Sequence, residues 1–108
     1  MPKKYKLVFT VPIEHADVVR EAIGAAGAGR YPHYSFCSFS TRGVGRFRPE
    51  QGAHPAIGEV GKTEVVDEER VECQIDADVI DDVLKALREA HPYEEIAYDL
   101  FSLETREF

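Results

Sequence analysis

The first apolar run of the chain alternates. Tyr5, Leu7, Phe9 and Val11 fall on one side of an extended segment and Lys4, Lys6, Val8 and Thr10 on the other, the period of two that marks a half-buried β-strand. Beyond Pro12 the period lengthens. Val18, Val19, Ala22, Ile23 and Ala26 recur at spacings of three and four, Glu14 and Asp17 stand near the start where the helix dipole favours acids, and Gly27 and Gly29 follow the end. The spacing predicts a helix over about 14–26. Residues 34–41, Tyr-Ser-Phe-Cys-Ser-Phe-Ser-Thr, are of the aromatic and hydroxyl types favoured on a pleated surface and predict a second strand. Glycines at 43, 45, 52, 58 and 61 with Pro49 and Pro55 then predict a long loop over 42–62, with room for a short strand at 44–48. A third strand is expected over about 63–75, closing on Val71-Glu72-Cys73-Gln74-Ile75. Asp76 or Asp78 can cap a second helix with Ile80, Val83, Leu84 and Leu87 as its apolar stripe. Asp81 stands four residues before Lys85 there, and Pro92 ends propagation. A last strand is expected over about 94–103.

The order β-α-β-β-α-β is the split-βαβ, ferredoxin-like arrangement: an α+β sandwich with an antiparallel sheet and both helices on one face. Two strands qualify it. Tyr34 and Phe36 alternate with Cys37 and Phe39, and Ile96, Tyr98 and Leu100 alternate with Ala97, Phe101 and Leu103, so both faces of those strands are apolar. Since the helices cover one face, the other calls for a partner, most simply another copy of the chain as a homodimer or homotrimer. The alternative is that loop 42–62 folds back over the open face.

A length of 108 residues predicts one domain spanning 1–108. No run approaches the roughly 20 apolar residues that cross a bilayer, and the expectation is a cytoplasmic protein without membrane attachment. Cys37 and Cys73 have no C-x-x-C spacing, and both read as reduced core thiols. The formal net charge is −7, which argues against general nucleic-acid binding. The charge is uneven, however. Arg30, Arg42, Arg46 and Arg48 occupy 22–49 without a single acid, whereas most acids follow Glu50. Arg42, Gly43, Gly45, Arg46 and Arg48 therefore form the candidate ligand-binding set, because alternating guanidinium forks and exposed backbone N–H groups suit a small anion.

The run Cys37-Ser38-Phe39-Ser40-Thr41-Arg42-Gly43-Val44-Gly45-Arg46-Phe47-Arg48-Pro49, then Gly52-Ala53-His54-Pro55-Ala56-Ile57-Gly58-Glu59-Val60-Gly61, then His91-Pro92-Tyr93-Glu94-Glu95-Ile96-Ala97-Tyr98-Asp99, resembles the YqfO-type insert domain of the NGG1-interacting-factor-three family. The likeness runs from about Tyr5 to Leu103. It implies a PII-like and CutA-like ferredoxin fold that self-associates, here as a stand-alone version of the insert. In that family the two-metal site belongs to the flanking halves, so the resemblance assigns no metal ligand or cofactor to this sequence. PII proteins contact partners through the long loop after their second strand and bind nucleotide between subunits. The nucleotide-holding residues of PII are not found here, so that link is one of fold.

Other side chains offer chemistry beside a structural role. His91 with Glu94 and Glu95 suggests a hydrolase's acid and base. Yet His91-Pro92-Tyr93-Glu94-Glu95 directly follows a helix, whose C-terminal dipole favours a histidine, and the group reads as structural. His15, beside Glu14 and Asp17, reads as an exposed entry to the first helix. His33, Cys37 and His54 form the alternative metal set, imidazole and thiolate suiting zinc or copper. His33 and Cys37 stand four residues apart but share no expected helix, so no spacing among the histidines and cysteines preforms a site on one element. Cys37 and Ser38 lack a nucleophile-elbow context. The sequence thus points to a non-enzymatic oligomeric module, without cofactor, that contacts a small anionic ligand or a protein partner, with metal binding and hydrolysis as the alternatives.

Overall fold

The computed structural model describes residues 3–106, and the chain runs β1 (Lys4–Pro12), α1 (Ala16–Ala25), β2 (Phe39–Phe47), β3 (Glu64–Asp76), α2 (Ile80–Ala90) and β4 (Tyr98–Leu103). A 3-10 turn leads into each helix, at Ile13–His15 and Ala77–Val79. The strands form one antiparallel sheet ordered β2-β3-β1-β4. This is the ferredoxin-like topology expected from the element order.

Cross-strand partners share a face, so the register sorts the side chains. Tyr5, Leu7 and Phe9 of β1 stand opposite Ile75, Cys73 and Val71 of β3, and Leu7 and Phe9 stand opposite Leu100 and Tyr98 of β4. All of these except exposed Tyr98 meet Val19 and Ile23 of α1 and Val83 and Leu87 of α2 in the core. Each large apolar side chain fully removed from water there contributes about 1.5–3 kcal/mol. α1 turns Ala16, Val19 and Ile23 inward and leaves Val18 exposed, so its stripe is narrower than the sequence spacing implied. It ends in a Schellman motif: Gly27 takes φ +118°, its N–H donates to Gly24 O, and Ala28 N–H donates to Ile23 O at 3.0 Å.

Several expectations need correction. The second strand is not 34–41 but Phe39–Phe47, which joins the end of that run to the short strand foreseen at 44–48, so Arg42, Gly43, Gly45 and Arg46 lie on one edge strand and the loop is 48–63. Residues 34–38 are irregular, held by a Tyr31–Tyr34 bridge and by Phe36 at φ +58°. Cys37 sits in that irregular segment and is partly exposed, while Cys73 alone joins the core. Asp76 makes no capping bond and instead pairs with Lys4 at 2.7 Å. Lys85 pairs with Glu89 at 3.6 Å rather than with Asp81. β4 begins at Tyr98, because residues 93–97 are diverted elsewhere.

β1 ends opposite Glu68, so the Glu64–Asp67 part of β3 pairs only with β2. This free hairpin lengthens the molecule to 49 × 24 × 22 Å. On the sheet face away from the helices, Phe39 at one edge and Phe101 at the other are 66% and 50% exposed. Between them lies a charged strip in which Lys6 and Arg70 approach Glu72 at 3.7 and 3.2 Å. The loop leaves both phenylalanines uncovered.

Candidate functional site

The free hairpin forms one wall of a cleft of about 740 Å³. Val44 to Arg48 supply that wall, Pro49 to Ala53 and Pro55 to Ile57 close one end, and Glu68, Tyr93, Glu94, Glu95 and Ala97 line the opposite side. Local chemistry explains each part. The loop is pinched at its base, where Arg48 Nε donates to Thr63 Oγ1 at 2.8 Å and Gly61 N–H donates to Pro49 O at 2.8 Å. Its far side is tied across the cleft by His54 N–H, which donates to Glu94 Oε1 at 2.8 Å.

His91 positions the 93–97 segment. It is 5% exposed, its Nε2 stands 2.8 Å from Thr10 O, and Tyr93 N–H donates to its Nδ1 at 3.1 Å. An accepting Nδ1 requires the neutral tautomer with the proton on Nε2, donated to Thr10. Burial pushes the His91 pKa below its ordinary value, and nearby His15 pushes the same way. The Thr10 carbonyl and the Glu68 charge oppose them. The turn thus held sends Tyr93 onto the hairpin, its ring 5.5 Å from that of Phe47 and its hydroxyl donating to Glu68 Oε2 at 3.0 Å. Burial and the adjacent Glu68 carboxylate drive the Tyr93 hydroxyl pKa upward, which keeps it a proton donor.

Glu68 itself is 6% exposed. Its carboxylate lies over Gly45, where an added Cβ would stand 1.9 Å from Oε1. A side chain at 45 would have to displace the carboxylate from this position, a close approach that suits glycine inside a strand.

Of the anion-binding candidates, Gly45, Arg46 and Arg48 line the cleft, whereas exposed Arg42 and Gly43 do not. Tyr93, Glu94 and Glu95 of the third motif line it too, while His91 stands behind them with both ring nitrogens engaged. Acids outnumber bases on the lining, Glu50, Glu68, Glu94 and Glu95 against Arg46 and Arg48. Sequence reasoning missed Glu68, hidden in the run Asp67-Glu68-Glu69. Strand alternation was the usable signal, since Glu69 faces α1 and pairs with Arg20 while Glu68 faces the cleft. Among the described residues no group of three or more His, Cys, Asp or Glu side chains is arranged to hold a metal ion. His33, Cys37 and His54 are therefore not gathered into a site. Nor is any described helix long and apolar enough to cross a membrane.

The sheet, helices and hairpin together define a CutA-like and PII-like fold. The periplasmic divalent cation tolerance protein CutA from Archaeoglobus fulgidus matches it with a TM-score of 0.70 over 96% of this chain and 87% of its own, at 15% identity. The GlnK–ATP complex of B. subtilis gives 0.63 over 94% and 82%, at 8% identity. Those two likenesses concern the fold alone. Sequence similarity leads further. The chain is 48% identical over 99 residues to the GTP cyclohydrolase 1 type 2 homolog of Halalkalibacterium halodurans, covering 92% of this chain and 27% of the relative. It is 43% identical to the Bacillus cereus protein related to NIF3, with a TM-score of 0.83 over 96% of this chain and 26% of that one. The resemblance to the NGG1-interacting-factor-three family is thereby borne out, and the chain spans about a quarter of the length of the relatives it matches. No family model matches the chain.

Proposed function

We propose that this chain is a non-enzymatic, self-associating module whose cleft receives a small anionic ligand or a short segment of a partner protein. Convergence carries the reading. Three segments far apart in sequence, around Gly45–Pro49, Gly52–Ile57 and Tyr93–Glu95, line one concavity whose 740 Å³ falls in the range typical of ligand sites. Arg46 and Arg48 are the basic residues of the lining, and a guanidinium fork suits an anionic group. His91, bound to Thr10 and Tyr93, suits a positioning role better than proton transfer. Self-association is supported by the sheet face that exposes Phe39 and Phe101 on either side of Lys6, Glu72 and Arg70, two apolar ridges and both charge signs to meet a second copy. The two free thiols suit a reducing, cytoplasmic setting.

Equilibrium dialysis tests the cleft. Wild-type protein and the Arg46→Ala/Arg48→Ala variant are equilibrated with the small-molecule fraction of a cell extract, and the retained compounds are compared by mass spectrometry. An anion enriched by the wild type and lost in the variant supports the reading. Identical enrichment by both, or none by either, contradicts it.

A further inference from the structure

From Pro92 to Ile96, between the end of α2 and the start of β4, the chain makes no backbone–backbone hydrogen bond among the described residues. Side chains hold it instead. The Tyr93 hydroxyl donates to Glu68 Oε2 at 3.0 Å, Glu94 Oε1 accepts from His54 N–H at 2.8 Å, and Tyr93 N–H donates to His91 Nδ1 at 3.1 Å. A segment held by so few bonds opens at lower cost than the strands beside it. The bond to His91 is the one that depends on a proton. Nε2 faces the Thr10 carbonyl, which can only accept, so Nε2 carries the hydrogen and Nδ1 the lone pair. A proton added to this ring goes to Nδ1, where it meets the Tyr93 N–H, two donors with no acceptor between them.

We infer that His91 is a latch on the cleft: protonation of Nδ1 breaks its bond to Tyr93 N–H and frees residues 93–95, the wall opposite the hairpin. This assigns a regulation to the proposed site and rests on the cleft being that site. The groups around the ring set the direction of the switch. β1 presents the Thr10 carbonyl and the Phe9 ring, whose centroid lies 6.5 Å from that of His91, and α2 holds the His91 N–H through the Leu87 carbonyl. The Tyr93 ring stands 5.1 Å away, its hydroxyl kept neutral by burial and by Glu68. Glu68 on β3 draws a proton toward His91, and His15 on the turn before α1 repels one. Burial outweighs the attraction, so the closed wall keeps the ring neutral at pH values where a free imidazole is charged. A ring released to water titrates at about 6.5, so falling pH moves weight from the closed wall to the open one.

The test follows isotope-labelled protein by NMR from pH 8 to pH 4.5 with no ligand added. His91 is read at its ring Cε1–H and the wall at the amides of Tyr93, Glu94 and His54. The expected result is one shared midpoint for the ring and the three amides, with order parameters at 93–96 falling from about 0.85 to under about 0.6 while those of β1 and β3 hold. Two variants fix the latch in its two states. His91→Asn places an amide oxygen near the Nδ1 position and cannot be protonated, so its wall should stay ordered throughout. His91→Gln places an amide donor near the Nε2 position and leaves Tyr93 N–H without an acceptor, so its wall should be mobile already at pH 8. If His91 merely filled space, the two variants would behave alike, and that outcome overturns the latch. So do wild-type amides at 93 and 94 that ignore the His91 midpoint, and so does loss of the whole spectrum in step with His91. None of these results bears on whether the cleft binds, which dialysis with the arginine variant decides separately.

Discussion

Replacing Tyr93 with phenylalanine deletes one oxygen from the junction between the 93–97 segment and the hairpin. The ring contacts with Phe47 at 5.5 Å and with His91 at 5.1 Å are kept, so the change isolates the bond to Glu68. A hydrogen bond to a charged group contributes about 1.5–3 kcal/mol, and because Glu68 lines the cleft, the lower half of that range, about 1.5–2 kcal/mol, is expected here. For a domain of this size that corresponds to a fall in Tm of roughly 6–16 °C. Guanidinium chloride unfolding at neutral pH reads the loss as a lower midpoint at constant slope. Glu68→Gln completes a double-mutant cycle. The hydroxyl acts mainly on a charge, so Tyr93→Phe should cost less in the Glu68→Gln background, with a coupling of about 1 kcal/mol. A change in stability below about 0.5 kcal/mol, or additivity within about 0.3 kcal/mol, would refute the reasoning and make Tyr93 a packing residue only.

Three further outcomes follow from the same structure. Because burial holds His91 below its ordinary pKa, the unfolded chain takes up more protons than the folded one as pH falls through about 6.5. Stability should therefore drop in that window and level off below the folded-state pKa. Urea midpoints between pH 7.5 and 5.5 should show this slope, and His91→Gln should flatten it. Gly29 takes φ +74° and an added Cβ would stand 2.1 Å from the Cys37 carbonyl oxygen, so Gly29→Ala should cost roughly 2–4 kcal/mol by chemical denaturation. Burial pushes the Cys73 thiol up to about 11, while Cys37 is partly exposed, so iodoacetamide at pH 8 should label Cys37 in folded protein and reach Cys73 only after unfolding.

The helices and β1 and β3 were legible in the sequence because each buries one face, and burial imposes its period on the residues. β2 was legible only as two pieces, 34–41 and a short 44–48, and not as one strand through its glycines. Gly43 and Gly45 disfavour a strand locally, and what overrides them is a full ladder of pairing with β3 together with the Glu68 carboxylate over Gly45. Residues 94–97 looked like strand by alternation, but the His91 turn leads them along the cleft before β4 begins. The segments that line the cleft were singled out as motifs, yet their meeting is a tertiary fact. Arg42 and Arg46 look equivalent in sequence, and only the geometry of the hairpin puts Arg46 among the residues of the cleft wall and leaves Arg42 outside. Asp76 and Asp81 show the same limit on a smaller scale, since spacing allowed a cap and an i,i+4 pair while the nearest available cation took Asp76 instead.

Native mass spectrometry of untagged protein, purified without chelator beside its Arg46→Ala/Arg48→Ala variant, tests the central claim most directly. It counts copies of the chain and bound mass in one spectrum. The account predicts a particle of two or three copies carrying a small-molecule mass that the variant lacks. A bare monomer would contradict the self-association drawn from the exposed Phe39 and Phe101 face. A bound mass retained equally by the variant would contradict the cleft as its site.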